Sequence, residues 1–165
     1  MEIAELNLAE PDGVNKFTQL LDAYCCTLNG GGVALSDEVR NRLFNVMPQY
    51  GNAIAFLSHH QNKPTGVVFG FYNLYVFSAQ PYANVQFIFV LPEFQRRGIA
   101  KKLMLAFEAR TRELGCCKVT LEVREGNEQA KALYSALEYR RGTFGPHNDA
   151  LEFWERLFLP NAPKM

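Results

Sequence analysis

The stretch from Val85 to Val123 limits the possible folds more than any other part of the chain. An apolar run, Val85-Gln86-Phe87-Ile88-Phe89-Val90, stops before Pro92 and crosses the polar turn Gln95-Arg96-Arg97-Gly98. A helical pattern follows to about Leu114, Gly115 supplies its stop, and Lys118-Val119-Thr120-Leu121-Glu122-Val123 is a second strand pattern. Strand, long helix and strand in that order form a right-handed crossover, so the two strands run parallel, side by side or nearly so.

The turn inside this unit has its own chemistry. Gly98 and Ala100 keep the start of the helix clear of bulk, and the first helical amides have no partner within the helix. They stand at the positive end of the helix dipole, beside Arg96, Arg97, Lys101 and Lys102, an arrangement suited to phosphate and read here as a pyrophosphate cradle. Small residues at these positions also permit close packing of helix on sheet. A dinucleotide fingerprint does not fit, because no first glycine precedes the turn.

Around the crossover the pattern predicts a first strand over 3–8, a helix from Pro11 through Tyr24, and a second helix from Ser36 to near Pro48. Two strands, 53–57 and 66–72, flank the polar turn His60-Gln61-Asn62-Lys63-Pro64 and read as an antiparallel hairpin. After the crossover come a short helix, 127–137, and two closing strands, 139–144 and 150–158, joined by the turn 145–149. At 165 residues with 48% hydrophobic content, residues 1–165 read as a single domain.

Seventeen basic and seventeen acidic residues give no net charge, which argues against a nucleic-acid partner. No segment approaches the ~20 apolar residues of a membrane span, and Met1-Glu2-Ile3-Ala4-Glu5 is not a basic leader, so the expectation is a cytoplasmic protein. Cys25-Cys26 and Cys116-Cys117 match neither zinc nor redox spacing and read as reduced, mostly buried thiols. His59 and His60 belong to a solvated hairpin end, and no metal site is expected. The aromatic set Phe69, Phe71, Tyr72, Tyr75, Phe77 and Phe87 reads as one core face, the other face being free to line an acceptor pocket; Trp154 reads as core or a subunit contact.

The order of elements, the turn Gln95-Arg96-Arg97-Gly98-Ile99-Ala100 and the run Asn127-Glu128-Gln129-Ala130-Lys131-Ala132-Leu133-Tyr134 together resemble the GNAT superfamily of N-acetyltransferases. The resemblance covers most of the chain and includes the family's phosphate motif: glutamine or arginine, two variable residues, glycine, one variable residue, then glycine or alanine. It implies an α/β (α+β) fold, with a mixed, mostly antiparallel sheet of about seven strands. Helices would cover both faces, and a splayed parallel pair would stand in the centre. It implies acetyl-coenzyme A as cofactor, with its pyrophosphate on Gln95, Arg96, Arg97, Gly98, Ile99, Ala100 and Lys101. The pantetheine arm would lie along Ile88, Phe89 and Val90 as an added strand, with Asn127 and Ala130 on its far side. A homodimer is compatible with the aromatic last strand.

Acetyl transfer from a thioester to an amine needs a deprotonated nucleophile, a stabiliser for the oxyanion and a proton for the departing thiolate. By the resemblance Tyr134 is the general acid, and a phenol of pKa near ~10 is protonated at neutral pH. The oxyanion stabiliser is expected among the backbone amides of 88–90. Some relatives carry acids where this chain has Asn84, Gln86 and Phe87, which leaves Glu122 as the candidate base, with Tyr72, Tyr75 and His147 as possible proton carriers. The resulting expectation is an acetyltransferase acting on a primary amine of a small molecule or peptide. The alternative is a coenzyme A-binding or sensor module of weak catalysis.

Overall fold

The computed structural model describes residues 1–144, 147, 149–152, 154 and 156. Its contacts divide the chain into two compact units, Met1–Arg124 and the chain from Glu125 onward. In the first, five strands form one sheet in sequence order: β1 (Glu2–Glu5), β2 (Ala53–His60), β3 (Lys63–Tyr75), β4 (Gln80–Val90) and β5 (Val119–Leu121). All neighbours are antiparallel except β4 and β5, which are parallel as the crossover requires.

Helix α1 (Pro11–Cys25) begins with a proline at its first turn, where a missing N–H costs nothing, and Val14, Phe17 and Leu20 recur on one buried face. Helix α2 (Asp37–Val46) is capped by Ser36, whose Oγ accepts from the Val39 amide at 3.3 Å. Helix α3 (Ile99–Glu113) has Arg110 and Arg112 at its negative end and stops at Gly115, whose φ is +73°. Phe17 of α1 packs on Phe69 of β3 with ring centroids 4.7 Å apart, in a core with Leu57, Val67 and Phe89. Alternate residues face the other way, towards Ile99, Leu103, Met104 and Phe107 of α3, so helices cover both faces.

Both hairpins are longer than the sequence suggests. The first turns on Gln61 and Asn62 alone, at φ +50° and +63°, the geometry that matches strand twist in a two-residue loop, so His59 and His60 are strand residues. In the second, β3 and β4 continue past β2 to Tyr75 and Gln80 because Tyr75 and Tyr82 pair across the ribbon and Lys118 sets its ammonium 3.5 Å from the Tyr75 ring. Tyr75 therefore works in the ribbon rather than in the core, and Phe77 at the tip is 74% exposed.

Several expectations are corrected. Among the described residues the main sheet has five strands rather than about seven, and its parallel pair stands at one end of the strand order rather than in the centre. In the second unit, α4 (Glu128–Ser135) is followed by β6 (Thr143–Phe144) and β7 (Asp149–Ala150), which pair with each other. The stretch from Tyr139 starts as helix terminus instead of strand: the Tyr139 amide donates to the Tyr134 carbonyl at 2.9 Å. Of the expected closing turn and strand, Gly145, Pro146, Asn148, Phe153, Glu155 and 157–158 lie outside the described residues. Trp154 is 85% exposed, its indole N–H on Glu152 Oε2 at 3.0 Å, and so is not a core residue. Cys26 and Cys117 are exposed, and Cys25 and Cys116 half-buried, instead of mostly buried; burial pushes the Cys25 and Cys116 thiols up from the ordinary value. Among the described residues no helix is long and apolar enough to cross a membrane.

Gly70 is where the layers come closest. A Cβ there would stand 2.2 Å from the Asn84 carbonyl oxygen and 2.9 Å from the Phe107 ring, so neither backbone nor helix can yield cheaply. Gly70→Ala is expected to lower unfolding free energy by about 3 kcal/mol, read from the urea midpoint at unchanged slope.

Candidate active site

Only three residue pairs join the parallel strands: Ala83 with Val119, Asn84 with Thr120 and Val85 with Leu121. Beyond Val85, β4 runs on for five residues with no strand neighbour on that side among the described residues. The divergence coincides with a β-bulge. Phe69 pairs with Phe87 and Gly70 with Val85, so Gln86 is an extra residue that bends β4.

The ladder with β3 shows which groups the gap exposes. The Leu91 amide donates to the Thr65 carbonyl at 2.9 Å, and antiparallel pairing alternates from there. Phe89 is therefore spent inside the sheet, while Ile88 and Val90 turn N–H and C=O towards the opening. Of the three strand residues expected to meet a pantetheine arm, two have free backbone edges. The Val90 carbonyl is already taken, at 2.9 Å, by the Gln95 side-chain amide.

That contact ties the turn to the strand end. Gln95 thus holds the cradle in place from behind, and Arg97 does similar work, donating to the Glu93 carbonyl at 2.9 Å with its guanidinium 5.4 Å from the Phe94 ring centre. Arg96 and Gly98 have φ of +61° and +74°. The amides of residues 96–101 find no acceptor among the described residues, and no side chain caps α3. Arg96, Lys101 and Lys102 form no ion pair there either, and no atom lies within 4 Å of a Cβ built on Gly98. Ile99 is buried, turned into the core, and Ala100 is half-buried. Six consecutive unclaimed amides, three free cations and an open surface fit a pyrophosphate. The packing alternative fails at Gly98, which is exposed.

At the fork itself stands a polar cluster. Asn84 Nδ2 donates to Glu122 at 3.2 and 3.3 Å and to Thr120 Oγ1 at 3.1 Å, and Gln86 Nε2 donates to Asn84 Oδ1. Glu122 pairs with no cation among the described residues; its neighbour Arg124 instead reaches the Leu28 carbonyl at 2.7 Å. Tyr24 of α1 stacks on Phe87 at 5.1 Å and donates its hydroxyl to the Asn29 carbonyl at 3.1 Å. Burial, with the nearby Cys25 thiol, raises the Tyr24 pKa above its usual value, and Arg124 opposes the shift.

The second unit holds the remaining expected residues. Asn127 caps α4, its Oδ1 accepting from the Ala130 amide at 3.1 Å, so only its amide nitrogen is left for a ligand. Tyr134 is buried, its ring 5.9 Å from that of Tyr139. His147 is exposed. Sequence reasoning passed over Tyr24, Thr120 and the joint role of Asn84 and Gln86. The available signal was the alternation of polar side chains at 84 and 86 and at 120, 122 and 124.

With the crossover, the divided parallel pair and the bare helix start in place, the chain belongs to the GNAT acetyltransferase family: residues 30–139 match its sequence profile. It is 29% identical over 110 residues to thialysine N-epsilon-acetyltransferase of Bos taurus, a stretch spanning 64% of this chain and 65%, just under two thirds, of that relative. It shares its fold with a probable acetyltransferase at TM-score 0.75 and 16% identity, covering 99% of this chain and 100% of that one. AAC(6')-Iy in complex with the bisubstrate analogue CoA-S-monomethyl-acetylneamine superposes at TM-score 0.72 and 16% identity, covering 94% and 97% of the two chains. Acetyl-coenzyme A is the donor this family uses.

Gly98 gives the sharpest test of the cradle. Gly98→Val introduces a branched side chain at positive φ, a strain of about 1–2 kcal/mol, and crowds the amides. Calorimetry is expected to show coenzyme A affinity falling at least tenfold, with the fold retained by circular dichroism.

Proposed function

We propose that the protein transfers the acetyl group of acetyl-coenzyme A to a primary amine of a small molecule or peptide. The observation that carries this reading is the fork between β4 and β5, where backbone edges without a ladder partner and a carboxylate without a cation among the described residues occur together. The amine acceptors named for the bovine relative and for the neamine analogue support the acceptor class.

When bound, acetyl-coenzyme A supplies an acetyl group activated as a thioester. The amides of residues 96–101, with Arg96 and Lys101, would hold its phosphates, and the backbone edge of Ile88 with the Val90 amide would receive its arm. The Ile88 amide, facing the gap with no strand partner there, is the donor for a developing oxyanion. Glu122 takes the proton that an ammonium must lose before attack, directly or through one water, and Tyr134 returns a proton to the leaving thiolate. For Asn127 and Ala130 the support is the family resemblance alone, by which they would contact the arm.

Thiol release from acetyl-coenzyme A over a panel of primary amines tests the whole reading. At least one amine is expected to turn over, with Glu122→Gln and Tyr134→Phe each lowering kcat about a hundredfold or more. Tight coenzyme binding with no release above hydrolysis for any amine would instead identify a binding or sensor module.

We also propose a cytoplasmic location and a homodimer, the latter supported by the exposed Trp154. Sedimentation equilibrium is expected to give twice the chain mass, with Trp154→Ala shifting it towards the monomer.

A further inference from the structure

Glu122 is held in an unusual way, by amides rather than by a cation. It is the first residue of its chain segment beyond the last β4–β5 pair, so it stands where the strands part. Its carboxylate is exposed and pairs with no cation among the described residues. What contacts it is the side-chain amide of Asn84, two residues before the bulge in β4, which also donates to the Thr120 hydroxyl.

The polarity of this contact propagates. An ionised carboxylate only accepts, so Asn84 must present its NH2 group to Glu122. Its Oδ1 is then turned towards Gln86, which must answer with its own NH2 group. Gln86 is the bulged residue, released from the β3 ladder, and that release lets its side chain lie back along the strand on to Asn84. Once its nitrogen is engaged there, Gln86 Oε1 is the end of the chain left over to accept. Both ends of the two-amide chain therefore present acceptors: the Glu122 carboxylate at one and the Gln86 carbonyl at the other. A primary ammonium carries three N–H donors that such a pair can receive.

We propose that Asn84 and Gln86 are positioning residues that orient Glu122 at the fork and fix its hydrogen-bond polarity. This rests on Glu122 being the proton acceptor. The two amides stand where a carboxylate on β4 would do the work directly, and they pass that role across the sheet to β5. The other titratable or charged groups on this side, Arg124 and Tyr24, are occupied with the carbonyls of Leu28 and Asn29.

Two measurements on the full chain separate the parts. In 15N spectra, the side-chain amide signals of Asn84 and Gln86 are expected to titrate with a common midpoint as Glu122 takes up its proton. Both responses vanish in Glu122→Gln, and Asn84→Leu abolishes that of Gln86. A Gln86 signal indifferent to Glu122→Gln overturns the proposal whatever the activity.

In thiol-release assays with thialysine and neamine as probes, Asn84→Leu is expected to lower kcat about tenfold to a hundredfold with little change in KM, and to add no further loss in the Glu122→Gln background. Asn84→Asp sets a second carboxylate against the first and is expected to move the acidic limb of the pH–rate profile up by about one unit or more. Additive losses, or an unmoved limb in Asn84→Asp, count against the positioning role. A full rate in Glu122→Gln removes Glu122 as base and leaves the spectroscopic result to stand or fall alone.

Discussion

The arrangement of this protein depends on hydrogen bonds that two neighbouring strands do not make. Strand β5 pairs with β4 over its three residues and then ends, while β4 continues for five residues more. Each backbone group left unpaired at a protein surface is available to a ligand shaped like a strand, so the missing ladder is a binding surface. The cause is local: the Gln86 bulge bends β4, and Gly70 opposite it lets β3, β4 and α3 come close enough for the bent strand to stay packed. The apolar layers on both sides, Phe17 and Phe69 on one and Phe107 on the other, then hold the distorted sheet rigid.

The cradle follows from the same strand. β4 ends at Val90, Gln95 reaches back to the Val90 carbonyl, and the turn between them is fixed relative to the opening it serves. Gln95 and Arg97 are spent on their own backbone, so their place in the motif is architectural, and the charge facing solvent comes from Arg96, Lys101 and Lys102. A count of four cations in the sequence overstates by one the number available to a phosphate.

Much of this was legible in the residues. The crossover, the bare helix start at Gly98 and the caps at Ser36 and Asn127 are local consequences of spacing and side-chain chemistry, and they appear where the pattern predicts them. Strand lengths were less legible, because Tyr75, Tyr82 and Lys118 meet only across the sheet and no window along the chain contains them all. The bulge was hidden for the same reason: Gln86 looks like any alternating strand residue until the pairing of Phe69 with Phe87 is known. Asn84 and Gln86, which read singly as departures from an acidic pattern, acquire meaning only beside Glu122.

The segment linking α1 to α2 is tethered in a particular manner. Arg124 and Tyr24 grip the carbonyls of Leu28 and Asn29, Arg40 grips that of Leu35, and Asp22 receives the Leu35 amide. Every one of these grips falls on main-chain atoms of the segment, and Leu28 and Val33 project into solvent. Exposed side chains such as Leu28 and Val33 can therefore change without loosening these grips, whereas Thr27, whose hydroxyl bonds the Tyr24 carbonyl and the Gly30 amide, cannot.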